Sequence, residues 1–475
     1  MIQTAPGAGS GAASGAAAVR PRVVPTMEVL RGWGEVHQGR SLVYRPDTVD
    51  GVGEALRDAT SKGLTIAHRG AGQSYGDLAV NQGGAVLDLS RLTGIMELDQ
   101  VGGVVRARGG TTIEQLWNET LPRGWWPPVV PGTMKVTLAG AVAANVHGKN
   151  HWSAGSIGQH VLALTVMGPD GQIVSLGAPG APGIDGSIER AIGALGLTGT
   201  ILDVTLQLHR VHSGLLDVET RATGSLAHTL ESLEVGAESW TYAVGWIDCF
   251  PRGERAGRGV LHCARYLPPD HPRAGAALTA REQSLPGRIL GVVPRSQAWR
   301  GLRTFFHDPG MRALNLGRYA GGRRHHGKRS LEPHARFHFL LDYVPGWKRA
   351  YLPDGLVQYQ LFVPRDAARY AFGHALELQR STGAYSYLGV VKRHRADPFP
   401  NAYAMDGFSL ALDFPVRPRG LDRMVRLFRS YDDLLREVGG RIYAAKDGVS
   451  VGTLPADRDP RYSSNLVRRW EAAAR

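Results

Sequence analysis

Two glycine-rich segments carry the residue types that can hold a polyanion. HRGAGQSYGD, residues 68–77, follows an apolar run and combines glycines with a small residue and two hydroxyls. PGTMKVTLAGAVAANVHGKNHWSAGS, residues 131–156, is also rich in glycine and poor in acids. Backbone N–H groups can approach a phosphate closely where the chain has no Cβ atoms. Neither segment matches a P-loop or a dinucleotide fingerprint, so the sequence indicates an anionic ligand held by another arrangement.

The second segment also contains two histidines with the spacing of a helical metal-binding pair. His147 and His151 lie four residues apart in HGKNH. The glycine between them and the lack of an obvious third ligand argue against zinc, and we predict no metal site. The alternative is that His147, Lys149 and Asn150 donate to a phosphate or to the electron-rich edge of a flavin.

Two further motifs are ambiguous by themselves. In GALGLTG, residues 193–199, a helix precedes the glycines and a strand follows, which is the reverse of the order in a dinucleotide-binding motif. Close approach of the backbone to a ligand and a tight turn are equally good interpretations. Lys446 ends the apolar run of GGRIYAAKDG, residues 439–448. It is either a surface charge or, if it faces a cleft, a donor to a developing oxyanion or a flavin oxygen.

The elements that must position these residues change character near residue 211. Before it, strands and helices alternate, and a helix over residues 49–63 precedes the strand that enters the first glycine-rich segment. Thr111 and Glu114 predict a capping box at the start of the next helix. Pro169-Asp170-Gly171 predicts a hairpin turn.

The later part of the chain is rich in aromatic and β-branched residues that alternate with polar ones. The strands predicted on this basis are SWTYAVGWIDCF, ARFHFLLDYV, GLVQYQLFVP, AYSYLGVVKR and FSLALDFPV. Helices ALELQRST and LDRMVRLFRSYDDLLREVG lie between and after them. The pattern predicts an α+β fold whose antiparallel sheet has helices on one side. Residues 267–300 and the basic segment 321–330 are predicted to be loops.

Composition limits the classes of function. The 475 residues are 43% hydrophobic and 20% charged, which predicts a folded protein of about two domains. Cys249 and Cys263 are the two cysteines, so no disulfide framework is expected, which is compatible with a reducing compartment. The net charge of +13 could attract nucleic acid, anionic lipid or a phosphorylated substrate, or simply reflect an arginine-rich composition. No basic groove with interleaved aromatic residues is evident, which argues against nucleic acid.

The N-terminal residues form no targeting signal. MIQTAPGAGSGAASGAAAVR is rich in alanine and glycine and has no basic region followed by a leucine-rich one. Residues 1–24 are therefore predicted to be a disordered leader. No apolar run approaches the roughly 20 residues of a membrane span. We expect a cytoplasmic protein that touches a membrane, if at all, from its surface.

Together the motifs resemble a known flavoprotein family. GWGE at 32–35, RGAGQSYGD at 69–77, PGT at 131–133, HGKNHWSAGS at 147–156 and GLTG at 196–199 are similar to the FAD-binding domain of the vanillyl-alcohol-oxidase type. More narrowly, the likeness is to the decaprenylphosphoryl-β-D-ribose 2-oxidase family. It extends through VGWIDC at 244–249, LVQYQLFVP at 356–364, SYLGVVK at 386–392, LDFP at 412–415 and GGRIYAAKD at 439–447. It implies a two-part FAD-binding domain, residues 25–211 and 437–475, with a substrate domain over residues 212–436 inserted between the parts.

The resemblance also implies roles for individual residues. FAD is expected to bind non-covalently, with no bond to His147. The expected cofactor contacts are Arg69, Gly70, Ala71, Gly72, Gln73, Ser74, Tyr75, Pro131, Gly132, Thr133, Thr137, Gly140, Ala141, Ala144, Asn145, His147, Gly148, Asn150, Gly196, Gly199 and Tyr443. The expected substrate contacts are Trp246, Gln358, Gln360, Lys392, Lys149 and Lys446. For catalysis, the expected residues are Lys446, Tyr443 and His147. Lys446 is expected to stabilise the charge on oxygen, with proton removal shared with His147 or water, and Tyr443 is expected to lie close by.

The activity that the resemblance implies is oxidation of a sugar secondary hydroxyl to a ketone. The expected substrate is the 2-OH of a polyprenyl-phosphoryl ribose in arabinose donor synthesis. The expected partners are an NAD-dependent keto-sugar reductase and a membrane surface, met through the basic loop 321–330. A soluble sugar or antibiotic intermediate is the alternative substrate. A non-catalytic flavoprotein is the alternative from another class.

Two features depart from the family pattern. Mycobacterial-type members carry a cysteine, the attachment point of covalent nitroaromatic inhibitors, within an Asn-x-Cys run before the DFP motif, where this chain has Ser409 and Ala411. We therefore expect insensitivity to those inhibitors. The chain also ends soon after the motif lysine, at EAAAR. Both departures favour a paralogue that acts on another sugar.

Overall fold

Short parallel strands and a crossover helix bring the first glycine-rich segment to the edge of a small sheet. The structure is a computed structural model, and it describes residues 23–177, 186–236, 239–285, 287–289, 292–446 and 452–474; nearly all of the predicted leader lies outside them. The first elements are β1 Thr26–Arg31, β2 Gln38–Tyr44, α1 Val49–Ser61, β3 Ile66–Arg69 and β4 Ala85–Asp88, and the sheet order is β1-β2-β4-β3. Thr48 caps α1 by accepting from Gly51 N, and Val52 and Leu56 bury its apolar face. The chain runs from the end of β3 directly into the segment 70–77.

A six-stranded, mainly antiparallel sheet supports the second glycine-rich segment. Its order is β10-β9-β8-β11-β6-β5. The elements of this region are β5 Ile95–Asp99, β6 Val104–Arg108, α2 Ile113–Thr120, β7 Trp125–Trp126, α3 Leu138–Ala143, α4 His151–Ala154, β8 Val161–Met167, β9 Ile173–Gly177, β10 Gly186–Ser187, β11 Thr200–Gln207 and β12 His209–Arg210. The predicted hairpin between β8 and β9 is confirmed by their antiparallel pairing.

The capping box of α2 begins one residue later than predicted. Thr112 caps the helix, and its hydroxyl and backbone exchange hydrogen bonds with Gln115. The prediction of Thr111 with Glu114 is wrong because the Thr111 hydroxyl contacts the backbone of Gly94 instead. Two adjacent threonines satisfy the same sequence pattern, and only the position of the first helical turn separates them.

The third sheet has eight strands in the order β18-β13-β15-β14-β20-β21-β19-β22. The strands are β13 Leu215–Thr223, β14 Tyr242–Ile247, β15 Gly259–Tyr266, β18 Arg329–Pro333, β19 Leu356–Pro364, β20 Leu388–His394, β21 Gly407–Pro415 and β22 Arg441–Ile442, and a separate pair is formed by β16 Arg288–Ile289 and β17 Val293–Pro294. The helices of this part are α5 Leu226–Gly236, α6 Ala298–Arg303, α7 Asp308–Arg324, α8 His334–His338, α9 Ala368–Thr382 and α10 Leu421–Val438. Helices α5, α9 and α10 cover one face, in a core that includes Leu361, Leu410 and Phe372.

Three of the predicted elements differ in the structure, and the first is residues 267–300, which were predicted to be a loop but contain β16, β17 and the start of α6. ARFHFLLDYV was predicted to be a strand, but it forms α8 and a 3₁₀ turn, because a short continuous apolar run does not distinguish a buried strand from a buried helix. The basic segment 321–330 was predicted to be a loop, but it contains the end of α7, a turn and the start of β18. β18 pairs with β13, with Val218 opposite Ser330, at the edge of the sheet. Arginine is a good helix former, so a basic composition does not itself predict a loop.

The C-terminal segment returns to the first sheet. Helix α11 Asn465–Ala474 buries Leu466, Val467 and Trp470 against a core that includes Tyr44 and Leu56. The backbone N–H of Ile66 in β3 donates to Arg461 O at 2.8 Å. Among the described residues, no helix combines the length and apolarity needed to cross a lipid bilayer.

Candidate active site

A cavity of about 500 Å³ lies between the glycine-rich segments and the eight-stranded sheet. Backbone hydrogen bonds join the segments that enclose it. Trp33 N donates to Ser74 O at 2.8 Å, and Tyr75 N donates to Ala445 O at 3.2 Å. Residues far apart in sequence therefore meet around one space.

One wall of the cavity is largely bare backbone. The predicted cofactor residues that line it are Arg69, Gly70, Ala71, Gly72, Gln73, Ser74, Tyr75, Pro131, Gly132, Thr133, Thr137, Gly140, Ala144, His147, Gly196, Gly199 and Tyr443. A Cβ on Gly70 would lie 2.2 Å from Thr137 Oγ1, and Thr137 is the N-cap of α3. Gly72 has a φ of 65°, in the left-handed region. Both glycines are therefore required by the loop conformation as well as by any ligand.

The floor of the cavity is the polar face of the eight-stranded sheet. Residues directly opposite each other in antiparallel strands point to the same face. One row across the sheet is His262, Val244, Lys392 and Ser409. The next row is Trp246, Val390, Ala411 and Gln360. All eight of these side chains line the cavity, whereas alternate residues of the same strands belong to the helix-covered core.

The cavity is strongly cationic. Arg69, Lys149, Arg318, Lys392 and Lys446 line it, and no aspartate or glutamate does among the described residues. Cations in a partly buried cleft attract anions and concentrate them there. Bare backbone and these basic side chains fit an extended cofactor with a pyrophosphate, such as FAD.

Three side chains form a hydrogen-bonded chain on the floor. His147 Nε2 lies 3.2 Å from Gln360 Nε2, and His147 Nδ1 lies 3.3 Å from Lys392 Nζ. Burial lowers the pKa of His147 well below its usual range, so its imidazole is neutral. Burial, followed by the charge of Lys446, lowers the pKa of Lys392 to about 7. With the Gln360 amide donating to Nε2, Nδ1 carries the proton, and it donates to Lys392 when that amine is uncharged.

Lys446 occupies the junction between the first loop and the floor. Its Nζ lies 4.0 Å from the centre of the Tyr75 ring, a cation–π contact. Burial raises the pKa of Asp413 to about 6. The hydrogen bond donated by Gln358 and the charge of Lys446 act in the opposite direction and limit this rise. The Tyr443 ring lies 5.5 Å from that of His147, and burial raises the pKa of its hydroxyl.

Four of the predicted cofactor residues do not line the cavity: Ala141, Asn145, Gly148 and Asn150. Ala141 is fully buried in the core of the second sheet. Asn145 donates to Asp397 at 2.7 Å, and Asn150 donates to Pro128 O at 2.9 Å. A Cβ on Gly148 would lie 2.6 Å from Asn150 Oδ1. These contacts give all four residues roles in shaping the second segment, and the geometry does not support direct contact with a group in the cavity.

The histidine pair of HGKNH does not form part of a metal cluster. The rings of His147 and His151 are 6.3 Å apart. Within the described ranges, no group of three or more His, Cys, Asp or Glu side chains is placed to hold a metal ion. His151 instead packs against His394, with ring centres 4.5 Å apart.

Sequence reasoning missed four histidine and arginine residues that line the cavity, namely His68, His262, Arg318 and His338. Arg318 lies on α7, and its guanidinium is 4.6 Å from the Trp246 ring. His262 lies on β15, two strands from Lys392. The alternation of β15 could have predicted which face His262 occupies. No local signal could have predicted Arg318, because its position depends on how α7 packs on the sheet.

Known proteins show similarity over most of the chain. A family model for an FAD binding domain matches residues 41–177. The decaprenylphosphoryl-beta-D-ribose oxidase of Mycolicibacterium smegmatis is 30% identical over 427 residues, which cover 89% of each chain. An uncharacterized protein from the mprA 5′ region of Streptomyces coelicolor is 30% identical over 348 residues, 71% of this chain and 89% of the relative. The glycine-rich cavity wall at residues 69–75 and 131–144 falls inside the matched domain.

Proposed function

Because the chain belongs to the decaprenylphosphoryl-β-D-ribose oxidase family and is an FAD-dependent oxidoreductase, we propose that it oxidises the 2-OH of a polyprenyl-phosphoryl ribose to a ketone. The observation that carries the proposal is the cavity, which has no acidic lining residue in the part of the chain that the structure describes and places Lys392, His147 and Lys446 beside a glycine-rich wall. FAD, when bound, accepts the hydride that leaves the carbinol carbon. The residues of the wall would bind the cofactor, and those of the floor would position the sugar and remove the hydroxyl proton.

The proposed cofactor contacts are the predicted residues that line the glycine-rich wall, together with His147 and Tyr443. Gly70 and Gly72 expose backbone to the pyrophosphate, and Ser74 contributes a hydroxyl. The proposed domain division is the predicted one: residues 25–211 and 437–475 bind FAD, and residues 212–436 bind the substrate. The packing of α11 on the first sheet supports the return of the C-terminal part.

The proposed chemistry on the floor is removal of the hydroxyl proton and stabilisation of the oxygen. The uncharged Lys392 amine accepts the proton once its lone pair turns from His147 Nδ1–H to the substrate hydroxyl. Lys446 stabilises the charge that develops on oxygen, since a cation in a partly buried site acts strongly on nearby charge. The sugar is positioned by Trp246, Gln358 and Gln360. Tyr443 packs near the ring of His147 and supports that side of the cavity. The product is a ketone, which an NAD-dependent keto-sugar reductase would reduce to complete an epimerisation.

The proposed route of a lipid-linked substrate is along the basic face of α7 and β18. Arg323, Arg324 and Lys328 are exposed there. Clustered basic side chains attract the anionic surface of a membrane. The alternative substrate, a soluble sugar or antibiotic intermediate, is supported by Ala411, which replaces the family's cysteine on the cavity floor.

The experiment that tests the proposal is anaerobic mixing of the FAD-loaded protein with farnesylphosphoryl-β-D-ribose. We expect loss of the visible absorbance of oxidised flavin, because the 2-carbinol transfers its hydride. The 2-deoxy analogue is the matched control, and it should leave the absorbance unchanged. Reduction by a soluble ribofuranoside but not by the phosphoryl ribose would replace the lipid-linked substrate with the soluble one. Reduction by neither sugar would reject the proposal.

A further inference from the structure

The basic side chains of the cavity come from several different elements of its lining. Arg69 adjoins the glycine-rich loop, and its guanidinium donates to Arg31 O and Ala79 O at 3.2 Å each. Arg318, Lys149 and His262 line the same cavity from α7, the second segment and β15. A cofactor pyrophosphate on the glycine-rich wall would account for Arg69, the basic residue beside the first glycine-rich loop. The second group of basic residues therefore needs a separate explanation.

A close helix-to-strand contact fixes Arg318 over the floor. A Cβ on Gly322 of α7 would lie 2.3 Å from Val260 Cγ2 of β15, so the helix backbone rests directly on that strand. Val260 is opposite Trp246 in the sheet. Arg318 precedes Gly322 by four residues and lies on the same face of α7. Its guanidinium consequently stacks 4.6 Å from the Trp246 ring.

The three basic residues lack acidic partners. Neither Arg318 nor Lys149 forms an ion pair with any residue that the structure describes. Lys149 is buried, donates to Phe337 O and lies 4.3 Å from the Phe337 ring centre. His262 Nδ1 lies 3.5 Å from the Thr220 hydroxyl, which leaves Nε2 for another partner. The Glu332 carboxylate is the acid that acts on Lys149 from β18, at a longer range than an ion pair.

Strand register places these groups in one neighbourhood, because His262 is opposite Val244 and is two residues from Val260, and Ala243 N donates to Lys149 O at 2.9 Å. Burial and the charges of Lys392 and Arg318 lower the pKa of Lys149 to about 7. Burial and the charges of Arg318 and Lys149 lower the pKa of His262 to about 4. Uncompensated positive charge in a partly buried site is unfavourable, and a bound anion would relieve it.

We propose that Arg318, Lys149 and His262 form a subsite for a phosphate group of the substrate, separate from the wall that holds the cofactor pyrophosphate. The planar guanidinium of Arg318, held by Trp246, is suited to bidentate contact with two phosphate oxygens. Lys149 supplies a point charge, and His262 Nε2 supplies a neutral donor. The inference rests on the proposed function and deepens it, because it makes an anionic phosphoryl group part of what the site recognises.

The test is direct binding to the FAD-loaded protein, measured by calorimetry with farnesyl phosphate and with farnesol. We expect farnesyl phosphate to bind at least about tenfold more tightly than farnesol, as one charge-assisted contact provides. Arg318→Met, which keeps a long stem on Trp246, should abolish that preference. Arg312→Met is the matched control, because Arg312 is on the same helix and stacks on Phe250 at 4.8 Å but does not line the cavity.

Each outcome of the binding test supports or overturns the phosphate subsite, whether or not the sugar is oxidised. Equal affinity for the two lipids, or a preference that survives in Arg318→Met, would overturn the inference. Inorganic phosphate that binds as tightly as farnesyl phosphate would assign the subsite to free phosphate instead of to the substrate. If the phosphate preference behaves as expected but farnesylphosphoryl-ribose does not reduce the flavin, the subsite stands and the proposed oxidation fails.

Discussion

At the scale of single residues, the central feature is a lysine whose charge is easily lost. Lys392 has a pKa lowered to about 7 and touches His147, whose imidazole stays neutral. A buried lysine with this pKa is partly uncharged near neutral pH, whereas an exposed lysine stays almost fully protonated. The charge state of one side chain thus decides whether the floor can accept a proton.

This coupling predicts how the rate of flavin reduction depends on pH. Below pH 7 Lys392 is protonated and cannot accept the hydroxyl proton, so the rate should rise with pH through an inflection near 7. Lys392→Met should remove the inflection and lower the rate by about 10²-fold or more. Lys149 has a similar pKa, so Lys149→Met is the control in which the inflection must persist. Stopped-flow absorbance over a pH series measures all three proteins, and loss of the inflection in the control alone would contradict the assignment.

Lys446 should affect the rate of the reaction more than cofactor binding. Lys446→Ala removes the cation that we propose to lie beside the reacting oxygen, and we expect flavin reduction to slow by about 10²–10³-fold. Bound FAD, measured by absorbance after gel filtration, should be retained. Lys135→Ala is the control, since Lys135 pairs with Glu114 at 2.5 Å and does not line the cavity. Equal reduction rates in the wild type and Lys446→Ala would reject the role.

The cysteines predict a contrast in thiol reactivity. Cys249 and Cys263 are buried, and burial raises the pKa of Cys263 to about 11 and that of Cys249 further. We therefore expect the folded wild type to resist a maleimide reagent, as judged by mass spectrometry. Ala411→Cys places a thiol on the cavity floor and should react once per chain. Modification of the wild type at the same rate would show that the buried thiols are accessible.

At the scale of elements, the loop 70–77 depends on the segment before β2. Gly34 N donates to Tyr75 O at 3.0 Å, and a Cβ on Gly32 would lie 2.2 Å from Gly76 O. The two backbones are in contact, so neither can move without the other. The cofactor wall is therefore built from two loops instead of one.

Gly32→Ala should consequently weaken FAD binding. The added methyl must displace the carbonyl of Gly76, and strain of about 1–3 kcal/mol corresponds to an affinity loss of roughly fivefold to 150-fold. Fluorescence titration of the apoprotein with FAD measures the change. Gly224→Ala is the control, because a Cβ there meets nothing within 4 Å. Equal affinities in the two variants would mean that the loop tolerates the displacement.

Periodicity and glycine placement predicted much of this architecture. Alternation in GLVQYQLFVP correctly predicted β19, in which Gln358 and Gln360 line the cavity and Tyr359 and Leu361 belong to the helix-covered core. The helical assignment of α8 was missed, because its short apolar run has no clear period. Arg318 was also missed, since its place in the cavity follows from the contact of Gly322 with Val260, a tertiary fact without a local pattern.

At the scale of the whole molecule, the last helix stabilises the first sheet. Trp470 is buried against the core that contains Leu56 and Ile66, and Ile66 begins the strand that leads into the cofactor loop. Trp470→Ala should lower the free energy of unfolding by about 3–5 kcal/mol, as for other buried aromatic truncations. Urea denaturation of the apoprotein measures the loss. The exposed Tyr370→Ala is a control that should change stability by less than about 1 kcal/mol, and an equal loss in both variants would contradict the packing role.

The alternation of the eight-stranded sheet has a consequence for how this enzyme can acquire new specificities. In β14, β19, β20 and β21, cavity residues and helix-packed residues occupy alternate positions of the same strands. Mutations at Trp246, Val390 or Ala411 therefore alter what the floor recognises without opening a void beneath the helices. A combinatorial library restricted to these positions should retain folded members at high frequency.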